Sequence, residues 1–192
     1  MESFSVLYVF DFDDTLVTCD SRVKIKTKDG DIKFLSAIEF SDYIYGGWPE
    51  GDEIDHSQFW EYPPNGRWIT WAKNRLDYAL ESNSLIYLIT GRERLDPIEN
   101  WIKDNGVNSE KISFYSTMAQ PKKEKYKEVI RKAKNKYGIK SVVIYEDSQE
   151  ALDDMLEVCK EEGIKYSGYK MSKSIIRAED PELVNYVCVE MV

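Results

Sequence analysis

Residues 6–18 read VLYVFDFDDTLVT, an apolar run that passes directly into three acids, Asp11, Asp13 and Asp14. Apolar runs of this kind are typical of strands buried on both faces of a parallel sheet. Carboxylates buried without partners are costly to fold around. The chain must therefore end this strand at a solvated turn, or set the acids where another group compensates them. A turn alone does not call for three acids, and the ends of later apolar runs carry further acids and hydroxyls that favour the second solution.

Short apolar runs at 85–89, 112–115, 142–145 and 164–169 alternate with segments of helical period at 68–80, 93–104, 121–137 and 149–162. With 5–10 as the first strand, this alternation predicts an α/β fold, a Rossmann-like and mostly parallel sheet flanked by helices. In 121–137 the stripe is Tyr126, Val129, Ile130, Ala133 and Tyr137, with Gly138 suited to the C-cap. Residues 19–66 break the rhythm. The segment RVKIKTKDGDIKFLS alternates apolar and polar residues around Asp29 and Gly30, which predicts a hairpin, and DYIYGGWPEGDEIDHSQFWEYPPNGRW reads as an elaborated loop. The expectation is a single domain over 1–192 with a small hairpin and loop insertion after strand one. The insertion's Tyr43, Tyr45, Trp48, Trp60 and Tyr62 form either a mini-core or a platform on which a base stacks.

Composition removes several function classes. No apolar run approaches the ~18 residues of a membrane span, so no membrane partner is expected. The first residues, MESFSVLYVFDFDD, lack a basic leader, and a cytoplasmic location is the expectation. Cys19, Cys159 and Cys188 show no zinc-ligand spacing and read as structural thiols. The single histidine, His56, excludes sites that need two, and no Gly-x-Ser-x-Gly elbow supports a serine triad. The formal charge of −9 disfavours a general polyanion-binding surface. One stretch departs from it: Lys122 to Lys140 holds nine Lys and Arg against two Glu, either a solvated helix face or a nucleic-acid footprint.

In an open α/β sheet, ligands collect beyond the carboxyl ends of the strands. There this chain places Asp11, Asp13 and Asp14 after the first strand, Thr90, Gly91 and Arg92 after the second, and Glu146, Asp147 and Ser148 after the fourth. Carboxylates from separate strand ends make an oxygen cage suited to Mg²⁺. A bound cation would resolve the repulsion among them.

The ordered set DFDDTL, LITGR, PKKEKY and YEDS, spread across residues 5–148, resembles the signature of the haloacid dehalogenase (HAD) superfamily of phosphatases. The KDG hairpin and GDE segment are similar to those of phage-encoded HAD proteins. TGR and YED resemble the phosphatase half of phage polynucleotide kinase-phosphatases and the deoxyribonucleotidases. The resemblance implies a Mg²⁺-dependent phosphomonoesterase working through an aspartyl-phosphate. In it Asp11 is the nucleophile and Asp13 the general acid and base, with its backbone carbonyl helping to hold the metal. Thr90 binds phosphoryl oxygens, Asp147 completes the metal shell beside Asp11 and Asp13 with Glu146 either ligating the ion or orienting a water on it, and Thr15 braces the loop; Gly91, Arg92 and Lys122 are the candidates for contact with the substrate phosphate, Arg92 otherwise reading as a solvated charge. A lysine would neutralise transition-state charge. Lys123 is the first choice, because Lys-x-x-aromatic spacing places it over Tyr126, with Lys122 second and Lys125 third. The basic stretch, Arg92 and the insertion's aromatics favour a nucleotide or a phosphorylated nucleic-acid end as substrate, with a small-metabolite phosphate as the alternative. A non-catalytic nucleic-acid-binding module on the same fold is the reading from another class. No protein partner is implied.

Overall fold

In the computed structural model, which describes residues 4–172 apart from 46, 48, 83 and 119, the opening apolar run is a strand, β1 (Val6–Phe10). Trp48 and Cys188 lie outside the described residues. The insertion that follows holds β2 (Val17–Thr18), β3 (Val23–Lys26), β4 (Ile32–Leu35), α1 (Ala37–Ile44), β5 (Glu53–Asp55) and β6 (Arg67–Trp68). The regular alternation then begins with α2 (Thr70–Glu81), β7 (Leu85–Thr90), α3 (Asp96–Asp104) and β8 (Ile112–Ser116). It closes with α4 (Lys123–Tyr137), β9 (Ser141–Glu146), α5 (Gln149–Glu162) and β10 (Lys165–Lys170).

Five parallel strands form the central sheet in the order β10-β9-β1-β7-β8, the Rossmann-like α/β fold expected from the alternation. Side chains alternate across β1. Leu7 and Val9 join a core with Tyr126, Val129 and Ile130 of α4 and Met155 and Val158 of α5. Phe10 joins the opposite core with Trp71 and Leu76 of α2 and Ile98 and Trp101 of α3. Each face of the sheet is thus sealed by two helices, which is why β1 tolerates an unbroken apolar run. The chain builds outward from β1 through β7 to β8, then returns to place β9 on the other side. That reversal makes the β1–β9 edge the switch point of the sheet.

The insertion is more ordered than its sequence suggests. β3 and β4 form the expected hairpin, with Gly30 in the left-handed region at φ +90°, and β5 adds a third antiparallel strand. An eight-residue helix, α1, fills the gap between the expected hairpin and loop and takes in the first three residues of that loop. Its start is a reciprocal cap: Ser36 Oγ accepts from the Glu39 N–H at 3.3 Å and Glu39 Oε2 accepts from the Ser36 N–H at 3.1 Å. Val23, Ile25 and Phe59 form a small separate core with Phe40 and Tyr43 packed against it. The mini-core reading therefore holds for Tyr43, whereas Tyr45, Trp60 and Tyr62 are exposed. Among the described residues no helix is long and apolar enough to cross a membrane.

Candidate functional site

The β1–β9 register builds the centre of the site. Phe10 pairs with Tyr145, so the next residues, Asp11 and Glu146, stand side by side at the carboxyl edge of the sheet, and the Asp11 N–H donates to the Tyr145 carbonyl at 3.1 Å. Asp147 follows at the mouth of α5, where Ser148 caps the helix by accepting from the Ala151 N–H at 3.3 Å. Carboxylate oxygens of Asp11, Glu146 and Asp147 all lie within 4.8 Å of one another, and all three residues are buried.

Among the described residues one ammonium bonds these carboxylates directly, and a second, that of Lys170, donates to the Asp147 backbone carbonyl. Lys122 Nζ donates to Asp11 Oδ1 and to Glu146 Oε2, each at 2.7 Å. Glu146 also accepts from the Tyr126 hydroxyl at 3.2 Å and from the Ser148 N–H at 3.2 Å. Burial pushes the Asp11 carboxyl up to about 7, with Glu146 and Asp13 adding to the rise and Lys122 opposing it. Asp147 is driven well above the ordinary carboxylate range by burial, then by the charges of Glu146 and Asp11. Burial opposes the charge on Lys122, but Asp11 and Glu146 overcome it and hold its ammonium well above the ordinary lysine value. Three buried carboxyls against the ammoniums of Lys122 and Lys170 still leave a deficit of positive charge, and hard oxygen donors on rigid strand ends can hold a divalent cation there.

The lysine expectation needs correcting. Lys123, the first choice, turns away to Glu157 of α5 at 2.6 Å, and Lys125 pairs with Glu128 at 2.6 Å. Lys122 occupies the N-cap position of α4, and its carbonyl accepts from the Tyr126 N–H, so the pair on the buried face is spaced i,i+4. Spacings of three and four both lie on one helix face, which is why the motif alone did not separate them. The next residue along is rotated by about 100° and meets α5 instead.

Arg92 also differs from expectation. Its side chain is only 1% exposed, and it grips Asp13 with Nε to Oδ2 at 2.8 Å and Nη2 to Oδ1 at 2.7 Å. Nη1 donates to the carbonyls of Phe59 and Glu61 in the insertion at 3.1 and 3.0 Å. Every nitrogen of the guanidinium is engaged, so Arg92 is a brace rather than a free phosphate contact. Asp13, with both carboxylate oxygens on Arg92, stands outside the three-carboxylate group, which leaves its backbone carbonyl as the expected contact to a metal. Asp14 adopts φ +54° and turns to α1, its Oδ2 accepting the Ile38 N–H at 2.9 Å. The Thr15 hydroxyl is buried without a hydrogen-bond partner, so it does not brace the loop through that group. Thr90 Oγ1 accepts the Arg92 N–H at 3.2 Å, and Thr90 and Gly91 line the cavity above the acids.

That cavity, about 270 Å³, joins the acidic rim to a roof supplied by the insertion, including Phe40, His56, Phe59 and Trp60. The basic stretch contributes nothing to it beyond Lys122. Lys123, Lys127, Arg131 and Lys134 pair with Glu157, Glu161 and Glu162 along α5. A row of cations against a row of acids is an ordinary solvated helix–helix seam. Four of the nine basic residues are committed to this seam, while Lys132 and Lys136 lie over the rings of Tyr115 and Tyr137.

No protein-family model matches the chain, and no curated protein matches it. Among solved structures it is similar to the Legionella pneumophila effector Ceg4, with a TM-score of 0.55 and 16% identity over 90% of this chain and 88% of that one. At that identity the likeness concerns the α/β fold.

Proposed function

We propose that the chain is a Mg²⁺-dependent phosphomonoesterase of the HAD phosphatase type, with Asp11 as nucleophile. The observation that carries this is Asp11 at the end of the central strand, bonded to Lys122 at 2.7 Å and flanked by Glu146 and Asp147 within one carboxylate group. The donor set fits Mg²⁺: hard oxygens, excess negative charge and a position at the switch point of the sheet. Asp11 and Asp147 would hold the ion, with Glu146 beside them, and the bound ion would neutralise charge on the substrate's phosphoryl oxygens.

The remaining chemistry belongs to the side chains. An Asp11 carboxylate oxygen attacks phosphorus, and the ester P–O bond breaks as the acyl-phosphate bond forms. Asp13 gives its proton to the departing alkoxide, and in the second half takes one from the attacking water while Asp11 is released from phosphorus. Arg92 holds both carboxylate oxygens of Asp13 and so fixes where that side chain stands. Lys122 orients Asp11 and offsets charge on the transferring group. Thr90 and Gly91 line the cavity in which the phosphoryl oxygens would sit.

A cytoplasmic site of action belongs to the same proposal, in keeping with free thiols at Cys19 and Cys159. The deciding experiment is hydrolysis of p-nitrophenyl phosphate with Mg²⁺, compared with chelator and with Asp11→Asn. Turnover that needs Mg²⁺ and is lost in the variant supports the proposal. Wild-type turnover in Asp11→Asn would remove Asp11 from the role, and inertness toward every phosphomonoester would leave a binding module.

A further inference from the structure

The cavity above Asp11 has two unlike halves. Its floor is the acidic rim with Lys122; its roof, from the insertion and the turn after β5, presents Val23, Phe40, Ile44, Phe59 and Trp60. Phe40 meets His56 edge-on at 5.1 Å, and burial holds that imidazole below its ordinary value, so the roof is neutral near pH 7. The wall charges are lopsided. Seven carboxylate residues line the cavity against two cations, Arg92 and Lys122, and both cations are already ion-paired. Glu93, Glu150 and Asp154 stand among these acids away from the three-carboxylate group.

We infer that this cavity selects a phosphomonoester whose alcohol part carries an apolar aromatic ring and no second anionic group. The inference rests on the phosphatase reading for the position of the phosphate and adds the substrate class. One phosphoryl group is matched by Lys122 and the cation held by Asp11 and Asp147. A second phosphate, as in a nucleic-acid end or a bisphosphate, would meet Glu93, Glu150 or Asp154 while both lining cations are already ion-paired, and like charges in a partly desolvated cleft repel strongly. A ring in the roof would instead replace water on aromatic and aliphatic surface, while a small polar alcohol would leave that surface wet. Trp60 lines the cavity and keeps 40% of its surface exposed, area that a ring entering the roof can cover.

The test separates chemistry from recognition. Phenethyl phosphate and glycerol phosphate both release alkyl alcohols, so the kcat/KM ratio reports the pocket more than leaving-group reactivity. The ring-bearing ester is expected to win by at least about tenfold, the size of burying one such group, and a 5′-phosphorylated oligonucleotide to be poorer than either. Equilibrium binding of phenylphosphonate against methylphosphonate, with Mg²⁺ present, gives the same comparison without turnover. Trp60→Ala should shrink the phenylphosphonate preference several-fold, and Glu150→Gln with Asp154→Asn should recover part of the lost oligonucleotide affinity. If no ester is hydrolysed but phenylphosphonate still binds at least tenfold tighter, the phosphatase reading fails and the selectivity stands. If esters are hydrolysed but glycerol phosphate or the oligonucleotide equals the ring-bearing substrate, the selectivity is overturned and the phosphatase reading stands. Equal binding of the two phosphonates overturns it as well.

Discussion

Arg92 and Asp13 form a two-pronged ion pair, at 2.8 and 2.7 Å, in which the arginine side chain is 1% exposed and the remaining guanidinium nitrogen reaches two carbonyls of the insertion. One side chain thus links the loop after β7, the acid after β1 and the turn holding Phe59. Burial alone would weaken the charge on Arg92, but Asp13 raises its pKa above the ordinary arginine value. Arg92→Ala leaves Asp13 buried without its partner and should cost about 3–5 kcal/mol of folding stability. Arg92→Lys keeps the charge, loses the fork and should fall between. Urea denaturation of the three proteins decides this; a loss under 1 kcal/mol for Arg92→Ala would mean that the pair is solvated.

A second prediction concerns the carboxylate group. Burial raises the Asp147 carboxyl, so the folded chain binds that proton more tightly than the unfolded chain. For a raised acid, folding stability is fullest below the unfolded value and declines as pH climbs from the ordinary carboxylate range toward the folded one. In chelator, wild-type protein should therefore lose stability with rising pH more steeply than Asp147→Asn. Mg²⁺ should reverse the loss in wild type, by about 2.7 kcal/mol at a hundredfold excess over Kd, and should do far less in Asp147→Asn. Thermal melts with and without Mg²⁺ measure both; equal Mg²⁺ shifts would exclude Asp147 as a ligand.

A third prediction concerns packing under the DFDD loop. A Cβ at Gly66 would lie 2.5 Å from Trp101 Nε1 and 2.9 Å from its Cε2. Trp101 is itself held edge-on against Phe12 and Trp68, with centroids at 5.9 and 4.6 Å. It has little room to yield, so Gly66→Ala should cost about 1–3 kcal/mol. Gly91→Ala meets nothing within 4 Å and should change stability by less than about 0.5 kcal/mol. Similar Tm losses for both would show that Trp101 can move aside.

The order of layers was legible because strand and helix periods do not resemble each other, and the apolar run before Asp11 had to be sealed on both faces. The convergence of Asp11, Glu146 and Asp147 followed from the rule for strand ends. Other features depend on tertiary partners that no local pattern names. Arg92 looks like a phosphate contact until Phe59 and Glu61, about 30 positions earlier, are seen to occupy it. The Lys122–Lys140 run looks like a polyanion surface until α5 lays Glu157, Glu161 and Glu162 along it. α1 did carry a local signal, Ser36 with Glu39 three residues on, hidden beside a stretch rich in glycine and aromatics.

The last prediction separates Lys122 from Lys123, adjacent residues with opposite surroundings. Lys122 Nζ sits between Asp11 and Glu146 with its side chain 14% exposed; Lys123 is on the α5 seam with Glu157, 30% exposed. In the proposed reaction only the former can offset charge on the phosphoryl group as Asp11 attacks. Lys122→Ala should lower kcat for a phosphomonoester by at least about a hundredfold, the usual loss of one transition-state contact, and Lys123→Ala by less than about twofold. Since removing Lys122 also leaves Asp11 and Glu146 repelling each other, circular dichroism and a saturating Mg²⁺ series must accompany the kinetics. A folded, metal-binding Lys122→Ala with near wild-type kcat would limit Lys122 to holding the acids together. A larger loss for Lys123→Ala would restore the Lys-x-x-Tyr assignment and require α4 to rotate by roughly one residue during turnover.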